Sequence, residues 1–156
     1  MVIIDPSILR AGDILLYRPH SFFGWIIAFK TWCREASHVE VYMGQDKSSA
    51  SRDGIGVGMY ELRLKDLSMV LRPRTPFDMD KALAYYETVK GQPYDWRGVW
   101  CFSLMAERGE EGKQICSEYA RNLQTSAGPE WFATEWPSDK VAPAQFVQSK
   151  EGRRIA

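Results

Sequence analysis

One thiol and one imidazole sit where they could do chemistry together. Cys116 lies in QICSEYARNL (114–123), directly ahead of a stretch with helical period, and His38 opens the alternating run SHVEVYMG (37–44). A free cysteine, with a pKa of about 8.5, is only about 3% thiolate at pH 7. Bringing such a thiol to a pKa of about 5 takes about 4.8 kcal/mol of differential stabilisation. The amides at a helix N-terminus supply up to about 2 kcal/mol of that. A paired imidazolium must supply most of the rest, so Cys116 becomes a nucleophile only if a histidine lies beside it. His38 is one of two histidines in the chain.

Alternation in 38–44 puts His38, Glu40 and Tyr42 on one strand face and Val39, Val41 and Met43 on the other. The aliphatic face is the natural core face, so His38 and Glu40 point together, away from it. Three ligands (His38, Glu40 and Cys116) would satisfy zinc, but no ligand cluster with metal-type spacing occurs, and neither a metal nor another cofactor is expected.

The chain that must position these groups has 156 residues, enough for one domain with a real core, here expected to span 1–156. Lys plus Arg and Asp plus Glu are 20 each, a zero net charge that argues against a nucleic-acid partner. The start, MVIIDPSILRAGD, has neither the basic segment nor the apolar run of a signal peptide. The most apolar segment, SFFGWIIAFKTW (21–32), is too short to span a bilayer, so no stable membrane insertion is expected. Cysteines at 33, 101 and 116 are an odd set without a CxxC pair, which does not suggest a disulfide scaffold; Cys33 and Cys101, flanked by aromatics, read as core residues.

AGDILLYRP (11–19) reads as a first strand and FFGWIIAFKTWC (22–33) as a short amphipathic helix. HVEVYMG (38–44), KSSASR (47–52), GVGMYEL (56–62) and SMVLRPR (68–74) read as an antiparallel meander. The period then changes: 78–91 and 117–128 read as helices stopped by Gly91 and Gly128, and the tail as loop with short helical turns. Strands first and helices after imply an α+β domain.

Four segments resemble one family. GQPYDWRG (91–98), ICSEYA (115–120) and SHVEVYMG resemble the tyrosine element, nucleophile segment and histidine strand of NlpC-type cell-wall peptidases. Here the histidine precedes the cysteine and GDILLYRP opens the chain. That order resembles the circularly permuted branch, with the YiiX-like proteins and the relatives of lecithin retinol acyltransferase.

The resemblance covers about residues 11–125 and implies a papain-like fold: an antiparallel sheet or partial barrel carrying the histidine, with the cysteine on a packed helix N-terminus. It implies a thiol hydrolase cleaving an amide through an acyl-enzyme, with Cys116 as nucleophile, His38 as acid and base, and Tyr94 beside the oxyanion. The third polar residue departs from the family pattern. The matching position, ahead of Ala50, is Ser49; Ser51 and Glu40 are the other candidates to orient His38, with Glu40 favoured.

The implied partner is a peptide or acyl substrate, foremost a peptidoglycan stem peptide. Lipid amides or esters, or an inactive binding module of the same fold such as a phage-tail component, are the alternatives. Synthesis in the cytoplasm, with association to a phage virion or another route to the cell wall, is the matching location.

Overall fold

Ile14, Leu15, Leu16 and Tyr17 are all buried, so this continuous apolar run is covered on both faces and reads as a central strand. In the structure, a computed structural model that describes residues 4–19, 25, 36–96, 112–132 and 141–156, it is β1 (Ile14–Tyr17). β2 (His38–Gly44), β3 (Lys47–Arg52), β4 (Gly56–Glu61), β5 (Leu67–Pro73) and β6 (Gly152–Arg154) complete one six-stranded sheet in the order β4-β3-β2-β1-β5-β6, with every pairing antiparallel.

The expected meander holds from β2 to β4 and then breaks. β5 leaves β4 and pairs with β1 instead. The first five residues of β5 are buried, whereas β4 becomes exposed toward its end. A strand with a continuous buried run needs neighbours on both sides, and a half-exposed one tolerates the edge. The tail adds β6 to the far edge, where the sequence reading had only loop and short turns.

Three α-helices are described: α1 (Met79–Val89), α2 (Cys116–Ala127) and α3 (Pro143–Gln148). Asp78 caps α1 by accepting from the Lys81 amide at 3.2 Å. In α2, Cys116, Tyr119, Ala120, Leu123 and Ala127 fall on one buried stripe. That stripe packs with Ile14, Leu16, Val39 and Val41 on one sheet face, while Leu15, Tyr17, Tyr42 and Val70 pack with Ile4 and Leu9 on the other. The chain is therefore α+β, an antiparallel sheet covered by helices. Of the expected helix over 22–33 only residue 25 is described, as helical; the rest of it, with Cys33, and the residue Cys101 lie outside the described residues.

Candidate active site

Two residues apart on β2, His38 and Glu40 project from the same face, and His38 Nε2 lies 3.1 Å from Glu40 Oε1. The Glu40 side chain is fully buried. Its charge is satisfied from β3 by Ser48 Oγ, which donates to Oε2 at 2.5 Å, and by Arg52, whose Nε and Nη2 donate to Oε1 and Oε2 at 3.0 and 3.1 Å. Arg63 Nη2 stands 3.7 Å from Oε1. The hairpin register explains the grouping. Ser48 pairs with Tyr42 across the ladder, so even-numbered β3 residues share the Glu40 face.

Burial works against the Glu40 charge, but the hydrogen bond and charge of His38, with Arg52 and Ser48, hold the carboxyl well below the usual carboxylate range. An ionised Glu40 can only accept, so Nε2 is the protonated imidazole nitrogen and Nδ1 remains for the thiol.

The His38 side chain keeps 14% of its surface accessible. Burial pushes its pKa down. The charge and hydrogen bond of Cys116, and then those of Glu40, outweigh burial and raise it to about 9. Cys116 thus lies near enough to the imidazole to favour its protonated form. It is buried and is the first residue of α2, with Ile115 at the cap and no side chain capping the helix amides. Those amides point their partial positive charge at the sulfur's position.

Cys116 acts on Tyr94 as well. It is buried among Trp96 and Ile115, and burial first, then the charge of Cys116, Asp53 and Asp95 and a hydrogen bond with Cys116, keep its phenol protonated far above the ordinary range. Two ties position it. Tyr94 bridges to Gln114, two residues ahead of the cysteine. The Gln92 carbonyl accepts from Val57 N at 2.9 Å, beside Gly56. Gly56 has φ +96°, and a Cβ there would lie 2.2 Å from that carbonyl oxygen, so only glycine allows the approach.

Ser49 and Ser51 point elsewhere. Ser49 Oγ bonds the Tyr119 hydroxyl at 2.6 Å and the Gly58 carbonyl at 3.2 Å, and Ser51 Oγ donates to the Gln114 carbonyl at 2.6 Å. Both are odd-numbered on β3, on the face opposite to Glu40, and their hydroxyls bond these groups rather than His38. This corrects the reading that had either serine as an orienting group. Glu40 is the candidate whose carboxylate meets the imidazole, and Ser48 and Arg52, which the sequence reading passed over, hold it. The alternating parity of KSSASR was the available signal, because Ser48 and Arg52 must share a face.

No family model and no curated protein matches the chain. Among solved structures it is similar to the metalloprotein YiiX of Escherichia coli O157:H7, a DUF1105 protein, with a TM-score of 0.66 and 17% identity over 94% of this chain and 96% of that one. The two chains share a fold. At that identity the likeness extends to the fold alone.

Among the described residues no group of three or more His, Cys, Asp and Glu side chains could hold a metal ion. The donor chemistry agrees: Glu40 lies within 4 Å of two guanidiniums, Arg52 and Arg63, which would repel a cation. Also among the described residues, no helix is long and apolar enough to cross a membrane.

Proposed function

We propose that the chain is a thiol hydrolase that cleaves an amide through an acyl-enzyme. The observation that carries this reading is His38 set between Glu40, 3.1 Å from its Nε2, and Cys116, whose charge acts on both the imidazole and the Tyr94 phenol. The Cys116 thiol gives its proton to His38, and the thiolate adds to the carbonyl carbon. The carbonyl electrons move to oxygen, where the protonated Tyr94 hydroxyl and the helix amides stabilise the charge. Collapse expels the amine with the proton returned by the imidazolium, leaving a thioester on Cys116. Water, deprotonated by His38, then releases the acid and regenerates the thiol. Glu40 keeps the imidazole in the tautomer both steps require.

Peptidoglycan stem peptides are the proposed substrate class, from the resemblance of the motifs to cell-wall peptidases. The test exposes native protein to purified peptidoglycan fragments and to short-chain thioesters in parallel, with Cys116→Ala as control and intact mass as a readout. Expected are amide cleavage, an acyl adduct mapped to Cys116 and iodoacetamide alkylation of Cys116 far ahead of Cys33 and Cys101. Turnover of thioesters alone would move the substrate to lipid esters. No adduct on either substrate, with all three cysteines reacting only after denaturation, would overturn the enzyme reading.

A further inference from the structure

Glu40 is gripped more tightly than a carboxylate that merely accepts one imidazole hydrogen bond would need. Oε1 receives His38 Nε2 at 3.1 Å and Arg52 Nε at 3.0 Å, while Oε2 receives Arg52 Nη2 at 3.1 Å and Ser48 Oγ at 2.5 Å. The last torsion of a glutamate is broad and costs little to turn. A second guanidinium, Arg63, stands 3.7 Å from Oε1 and offers a competing direction. The planar fork of Arg52 fixes the carboxylate plane, which a point charge cannot do. Arg52 is itself held: its guanidinium lies 4.0 Å over the Tyr60 ring, and the Tyr60 hydroxyl donates to the Gly56 carbonyl at 2.7 Å.

We propose that Arg52 is a positioning residue for the Cys116–His38 pair, its two-pronged grip on Glu40 fixing which oxygen faces the imidazole while Ser48 locks the other. The effect on turnover rests on the acyl-enzyme reading; the geometry has its own readout. Cys116 from α2, Tyr94 from the segment ahead of it, Tyr17 from β1 and Glu40 face His38, and Arg52 and Arg63 act on it through Glu40.

The test is the His38 ring titration by nitrogen–proton correlation NMR in the full chain, with His20→Gln to assign the two histidines. Arg52→Met and Arg52→Lys are compared with wild type, and far-ultraviolet circular dichroism checks folding. If Arg52 positions Glu40, both variants release the carboxylate toward Arg63 and the imidazolium loses its hydrogen bond. The His38 midpoint then falls by about one pH unit, a tenfold loss of imidazolium affinity. Lysine, which keeps the charge but not the fork, gives no rescue.

If Arg52 only neutralises Glu40, its removal strengthens the carboxylate's pull, the midpoint rises and Lys restores it; that result overturns the proposal, as does an unchanged midpoint. If Arg52→Met fails to fold, Arg52→Lys alone decides by the same criterion. If wild-type Cys116 alkylates no faster than a free thiol, the acyl-enzyme reading falls, and the His38 midpoint still decides the role of Arg52.

Discussion

Asp13 and Glu40 are both buried carboxylates on neighbouring parts of one sheet, and each is held by an arginine fork. At Asp13, Arg72 Nε and Nη2 donate to Oδ1 and Oδ2 at 2.9 and 2.8 Å, and the Arg10 amide donates to Oδ2 at 2.8 Å. Arg72 Nη2 also donates to the Ile8 carbonyl at 2.6 Å. Every partner there is a permanent cation or an amide. At Glu40 one partner is an imidazole, a group that can gain or lose its proton. The same fork therefore closes a structural corner in one place and presents a proton-responsive oxygen in the other. A buried arginine–carboxylate pair is not itself a functional signal; the titratable neighbour makes the difference.

The largest effect that separates the two forks is on turnover. Glu40→Gln should lower Cys116-dependent turnover by about 10–10³-fold, since the amide accepts a hydrogen bond without offsetting the imidazolium charge. Asp13→Asn should leave turnover and the Cys116 alkylation rate unchanged, yet cost about 3–5 kcal/mol of stability by chemical denaturation, because it strands the Arg72 charge. Equal losses of turnover in both variants would break the distinction.

A smaller effect is on pH dependence. The His38 pKa is raised from an ordinary 6.5 to about 9. Its contribution to stability is thus fully present below pH 6.5 and lost as pH rises through about 9, at most about 3 kcal/mol. Denaturation midpoints should fall across that window in the wild type and in Asp13→Asn, and the fall should flatten in His38→Gln. A steep fall that persists in His38→Gln would assign it to another group.

The smallest effect sharpens the boundary of the Glu40 site. Ser49→Ala strands the buried Tyr119 hydroxyl and should cost about 1–3 kcal/mol; Ser51→Ala should cost about 1 kcal/mol. Neither should move the His38 titration midpoint. A shift in Ser49→Ala larger than in Ser48→Ala would place the orienting group on the wrong strand face.

These serines mark where sequence reasoning stops. β2 was legible to the residue because its alternation is strict, and α1 and α2 to within two residues at each end because helical period and terminal glycines agree. The strand limits of β3 were legible too, but not which of its faces meets Glu40. That choice depends on register, and a one-residue slip exchanges the two faces. The pattern places Ser48 and Arg52 together; only the pairing of Tyr42 with Ser48 turns them toward His38. β6 is three residues of Gly152–Arg154 at a sheet edge, too short and too polar to carry a period. The place of β5 was hidden for a different reason: strand order is a property of long-range pairing, not of local pattern.

The three-residue turn between Arg52 and Gly56 joins two sides of the candidate site. Arg52 and Gly56 are ladder partners at its two ends. One end grips Glu40, and the other seats the Gln92 carbonyl just before the segment that carries Tyr94. Mechanically the turn is a yoke: the strand end that holds Glu40 against His38 and the segment that carries Tyr94 hang from one short crossbar. A residue inserted at Asp53, Gly54 or Ile55 would displace both at once, so the length of this exposed turn is set as firmly as the two contacts it spans.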